Sequence, residues 1–127
     1  MLERNLFEFA IVRVVPRVER EEFINVGVIL YCKKEKFLQV KFHLDVQRLA
    51  AFAPHLDMET VKENLAAFER ICTGMKDGGP IAQLDAPSRF RWLTATRSTI
   101  IQTSKVHPGM CLNAADCLEK VLREQVL

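Results

Sequence analysis

From Phe7 to Val15 the chain reads Phe-Glu-Phe-Ala-Ile-Val-Arg-Val-Val, rich in β-branched and aromatic residues and apolar on both faces apart from Glu8 and Arg13. Such a run is a strand, and its lack of a wet face puts it at the centre of a sheet. Everything else has to be arranged around it. Pro16 cannot donate to a ladder and is followed by the charged stretch Arg17 to Glu22, so the chain leaves the sheet there. Phe23 to Cys32 returns as a second apolar strand, with Gly27 marking a bulge or a close approach of another group. Lys33 to Lys36 closes a hairpin onto Phe37 to Leu44, where Leu38, Val40 and Phe42 alternate with Gln39, Lys41 and His43, giving a third strand with one wet face.

Helical signals come next. Asp45 caps a short helix that Pro54 stops, and Asp57 caps a longer one in which Met58, Val61, Leu65, Phe68, Cys72 and Met75 repeat at spacings of three and four. Gly74 to Ser88, with Gly78-Gly79-Pro80 and Pro87, is expected to be an irregular loop or lid. Arg97 to Thr103 reads as a fourth strand, Pro108-Gly109 as a turn, and Asn113 as the cap of a final helix that turns Cys117, Leu118, Val121 and Leu122 inward. The fold class is therefore α+β, a mostly antiparallel sheet of about four strands with helices packed on one side. The 127 residues suit one domain, 1–127, and 49% apolar content with only five Gly and five Pro excludes disordered and collagen-like chains.

Charge narrows the function classes. Eighteen basic residues against sixteen acidic ones give +2, which argues against bulk nucleic-acid or anionic-membrane binding. The four cysteines form no CxxC pair, the first residues lack the pattern of a secretion signal, and no apolar run approaches a membrane span. A soluble, cytoplasmic protein with reduced cysteines is expected.

The near-neutral total hides an asymmetry, because Ala86 to Ala115 holds no acid while Arg89, Arg91, Arg97, Lys105 and His107 all fall there. Arginine suits two-point binding of phosphate or carboxylate, and Ser98, Thr99 and Gln102 add neutral donors. Two readings stand side by side: an anion-binding face, or arginines that pair with Glu19, Glu21 and Glu22 and lock loops together. Trp92, the single tryptophan, suits a core or partner-contact anchor better than a base-stacking platform. His107, Cys111 and Cys117 match no closed zinc spacing and lack a fourth ligand nearby, so no metal or other cofactor is expected, and Cys32 and Cys72 read as small buried apolar groups. A Cys111 nucleophile would need His107 within hydrogen-bond reach. No GxSxG, HExxH, P-loop or GxGxxG occurs.

Two blocks, Ala10 to Cys32 and Phe90 to Gln102, together with Val106-His-Pro-Gly109, closely resemble the uncharacterised bacterial family catalogued as domain of unknown function 3037, over essentially the whole chain. The resemblance implies no established reaction. Members of that family are often encoded near kinase-fold proteins similar to HipA, which implies a kinase-like partner. The expected function is a small, non-catalytic binding or accessory module. Its ligand- or partner-binding residues are expected to be Arg17, Asn25, Arg89, Arg91, Trp92, Arg97, Ser98, Gln102 and His107, facing an anionic small ligand or an acidic partner. The alternative is a phosphate-handling enzyme or nucleic-acid-binding protein that uses the arginine-rich segment 86–115.

Overall fold

The computed structural model describes residues 4–97 and 99–127. The expected central strand is β1, Asn5–Val14, and it pairs antiparallel with β2, Ile24–Cys32, which in turn pairs with β3, Phe37–Phe42. The β2–β3 turn is closed by the Lys36 N–H donating to the Lys33 carbonyl at 3.1 Å, with Lys36 itself left-handed at φ 51°. Gly27 fulfils both halves of its sequence reading. The β1–β2 register slips beside it, between Val12 and Arg13, and a Cβ on it would stand 2.5 Å from the Phe42 ring and 2.6 Å from the Lys41 carbonyl oxygen.

The other edge of β1 carries two short strands, β4 (Ile101–Thr103) and β5 (His107–Cys111), so the sheet has five strands but is four wide. Val12 opposes Thr103 and Phe9 opposes His107, so three steps on β1 match four on the partner: β4 and β5 are one strand interrupted by a one-residue bulge. Ser104 bridges the gap. Its N–H donates to the Ile11 carbonyl and its hydroxyl accepts from the Ile11 N–H, each at 2.8 Å. The turn expected at Pro108-Gly109 is thus a strand. Proline is tolerated because β5 is an edge, where a missing donor on the outer side costs no ladder bond.

Four α-helices cover the sheet: α1 (Val46–Phe52), α2 (Met58–Thr73), α3 (Ala86–Leu93) and α4 (Ala114–Gln125). Asp45, Asp57 and Asn113 cap α1, α2 and α4 through side-chain oxygens, as their sequence positions predict. In the α2 stripe Val61, Leu65, Phe68 and Cys72 are buried, whereas Met75 lies beyond the left-handed Gly74 that ends the helix and is exposed. The segment expected to be a loop contains two 3₁₀ turns and then α3. Asp85 accepts from the Ser88 N–H, and Pro87 falls in the first turn, where its missing N–H has no helical partner to lose.

The α+β class and the antiparallel sheet hold, but the helices are not confined to one side. Leu49, Leu65, Phe68, Phe90 and Leu93 from α1, α2 and α3 pack on Ala10, Val12, Val14, Ile29 and Tyr31. On the opposite face Ala114, Leu118 and Leu122 of α4 cover Phe7, Ile11, Val28, Leu30 and Cys32. The reason lies in the alternation of β1 and β2, which direct apolar side chains both ways and leave two faces to be kept from water. Among the described residues no helix is long and apolar enough to cross a membrane.

Candidate functional site

Trp92 and Arg97 of the arginine-rich segment meet where α3 gives way to β4. The Thr94 hydroxyl donates to the Phe90 carbonyl at 2.8 Å and closes the helix. The Arg97 guanidinium lies 3.9 Å from the centre of the Trp92 ring, and its Nη2 donates to the Trp92 carbonyl at the end of α3, which also accepts from the Ala95 N–H at 3.4 Å. Partial burial draws the Arg97 pKa down from its ordinary value. Past it, Thr99 donates to the Ile101 carbonyl at 2.7 Å, Gln102 Nε2 to the Thr99 carbonyl at 2.8 Å, and Thr103 to the Thr94 carbonyl at 3.4 Å. The connection is pinned by its own polar side chains.

Between this connection and α2 opens a cleft of about 350 Å³. Phe68, Ile71, Leu93 and Ile101 supply apolar lining, and Asn64, Trp92, Arg97, Thr99 and Gln102 supply polar or amphipathic groups. Among the described residues none that lines it is acidic. Such a cleft can hold an apolar body with a carboxylate, phosphate or other hydrogen-bond acceptor at one end. Trp92, Arg97, Thr99 and Gln102 are the residues of the sequence reading that it unites. Asn64 and Ile71 lie on α2 outside the apolar stripe that its periodicity marks, and only the fold brings them beside the α3–β4 connection.

The other expected residues lie elsewhere. Arg17 lines a separate cleft of about 420 Å³ with Arg20, Glu22, Phe52 and His55, and there Arg20 pairs with Glu22 at 2.5 Å. Arg89 is half-buried under Gly74, and its Nη1 donates to the Leu84 carbonyl at 2.6 Å, which ties the 3₁₀ region to α3. Arg91 is exposed, with Asp85 close enough to feel its charge. His107 is exposed on β5 with its ring 5.4 Å from that of Phe9. Ser98 lies outside the described residues. Arg17, Asn25 and Arg97 therefore sit at three different clefts rather than on one surface.

Asn25 belongs to a polar row across three strands, because the register sets Arg13 opposite both Asn25 and Gln102. Arg13 lies 3.8 Å from the centre of the Phe23 ring, and burial lowers its pKa. Asn25 Nδ2 donates to the Gln125 carbonyl at the end of α4, at 3.0 Å. Arg13 Nε and Asn25 Oδ1 are buried without a hydrogen-bond partner among the described residues. Arg13 stands out in the sequence as one of two charges, with Glu8, in a strand otherwise apolar on both faces.

A second cluster lies at the opposite end of the sheet. The Cys32 and Cys111 thiols each donate to Glu35 Oε2, at 3.7 and 3.6 Å. Glu35 also accepts from the Ala114 N–H at the start of α4 (3.0 Å) and from Asn5 Nδ2 (3.3 Å). These bonds, the Ala114 N–H foremost, hold the Glu35 carboxyl below its usual range. Burial, with Cys117, Cys32 and Glu35 as neighbours, pushes the Cys111 thiol up to about 12. The pairing of His107 with Cys111 does not form. Four residues along an extended strand separate them by about 13 Å.

A family model described as "Protein of unknown function (DUF3037)" matches residues 9–126. No curated protein and no solved structure matches the chain.

Proposed function

The chain belongs to the DUF3037 family, and from that premise and the geometry of the α3–β4 cleft we propose that it is a small, non-catalytic binding module, the accessory subunit of a larger kinase-like protein. The observation that carries this reading is the acid-free cleft. An aromatic ring and a guanidinium already stacked on each other stand over an apolar floor, with amide and hydroxyl groups along the side. Aromatic and arginine anchors around a desolvated pocket are the usual energetic centre of a protein interface. Because Trp92 and Arg97 hold each other, little side-chain entropy remains to be lost when a partner docks. The occupant is a segment of that partner with an apolar side chain and a neighbouring acidic group. Single-stranded nucleic acid fits less well, since a face of the only indole is already taken by Arg97.

The test is capture of the kinase-like protein from the native host by the wild type and by two charge variants. Ala95→Glu puts a carboxylate at an exposed position of the cleft wall, and Lys120→Glu makes a comparable change on α4, across the sheet. Wild type and Lys120→Glu should retain the partner, and Ala95→Glu should weaken it about tenfold or more, a loss of about 1.4 kcal/mol. Unaltered binding by Ala95→Glu would overturn the reading.

A further inference from the structure

We propose that Cys32, Glu35, Cys111 and Cys117 form a binding site for a zinc-class divalent cation, which staples the β2–β3 hairpin to β5 and α4. The sequence alone points the other way, since Cys111 and Cys117 with His107 make no zinc pattern. The fold replaces the histidine with two ligands from a distant hairpin. One donor atom each from Cys32, Glu35 and Cys111 lie within 4.8 Å of one another. The two sulfur-to-oxygen separations, 3.6 and 3.7 Å, are close to the edge of about 3.5 Å that tetrahedral zinc with ordinary Zn–S and Zn–O bonds requires. Cys117, in the first turns of α4, is a neighbour of the Cys111 thiol but stands outside the set of three whose donor atoms lie within 4.8 Å of one another, so it would complete the tetrahedron by turning its side chain toward them.

The chemistry of the set agrees with the geometry. Three sulfurs and a carboxylate oxygen select zinc or a similarly thiophilic ion over magnesium or calcium. On binding, the three thiols release three protons to solvent and leave a site of net charge −2, placed at the N-terminal end of α4, where the helix dipole favours negative charge. Cys32 and Cys111 are buried and Cys117 is half-exposed, so the ion has an entry side. Without a metal the same atoms make a hydrogen-bonded cluster around Glu35 that already joins the elements; the cation would replace weak thiol donation with coordination bonds.

The test uses the full chain, reduced, and zinc or cobalt alone as the probe. Zinc should be taken up one to one in competition with a chromophoric chelator, and cobalt should give a thiolate charge-transfer band with the visible bands of a tetrahedral site. Cys117→Ser is nearly isosteric at a half-exposed position, so the fold survives it. It should weaken zinc binding by at least about a hundredfold, the upper end of what losing even an outer-shell partner costs. Cys72→Ser, on the other face of the sheet, should leave zinc affinity unaltered. Absence of zinc uptake, a cobalt spectrum without thiolate charge transfer, or equal affinity in Cys117→Ser would each overturn the site. None of these results bears on the α3–β4 cleft.

Discussion

Trp92, the only indole of the chain, is 40% exposed, and the Arg97 guanidinium lies over its ring. The perturbation is a double-mutant cycle of Arg97→Lys and Trp92→Ala. At 3.9 Å and partly desolvated, the guanidinium–indole contact falls between the exposed and buried cases, or about 1 kcal/mol. The bond from Nη2 to the Trp92 carbonyl is charge-assisted, but Trp92 and Thr94 crowd an end of α3 that water also reaches, so about 1 kcal/mol is a fair share. Lysine keeps the charge and loses the planar fork, so Arg97→Lys should cost about 1–2 kcal/mol. For a chain of this size that is a fall in Tm of about 3–10 °C. Trp92→Ala removes the ring but leaves the backbone carbonyl, so the two substitutions should couple by about 0.5–1 kcal/mol. Unfolding of all four proteins is followed by far-ultraviolet circular dichroism, since Trp92→Ala abolishes the tryptophan signal. A coupling energy indistinguishable from zero would refute the claim that the two side chains form one preorganised anchor.

The remaining expectations concern the two cores and the acid range. Leu65→Ala on α2 and Leu118→Ala on α4 should each destabilise by about 2–5 kcal/mol and should be nearly additive, since the sheet separates them; a thermal melt unmoved by Leu118→Ala would mean that α4 does not cover the second face. Glu35 has a folded pKa below its ordinary 4.5, so the stability it confers is complete above that value and is lost as pH falls through the lower, folded one. Glu35→Gln should therefore flatten the acid limb of stability against pH, and an acid limb identical to that of the wild type would show that the carboxylate makes no such contribution.

The strands of the N-terminal half were legible because each signal was local: period-two alternation from Phe37 onward, the proline that ends β1, the polar hairpin turn. The two-sided cover was also written in Phe7 to Val15, since a strand apolar on both faces demands two layers, yet the sparse final helix gave no hint of which face it would take. Proline misled twice. Pro87 begins α3 and Pro108 lies in β5, because the first turn of a helix and the outer side of an edge strand both tolerate a missing N–H. The candidate cleft was half visible, as a cluster of arginines and a tryptophan, but its apolar floor comes from a helix whose stripe looks like ordinary core. The thiol cluster was invisible because Glu35 and Cys111 are 76 residues apart and meet only across the folded sheet.

The seam held by Ser104 also governs the order in which the sheet can assemble. β1 meets β2 across a short connection, but its other edge waits for partners such as Ser104, 93 residues beyond Ile11. Loop closure over that span must precede the contacts that reward it, which slows the step relative to hairpin formation. During synthesis the N-terminal hairpins can form while β1 still presents an unpaired, strongly apolar edge, the kind of template on which nascent chains associate with one another. Of these five strands the first to be synthesised is thus the latest to be fully enclosed, and a chaperone that shields apolar strand edges would act on this protein before β4 and β5 arrive.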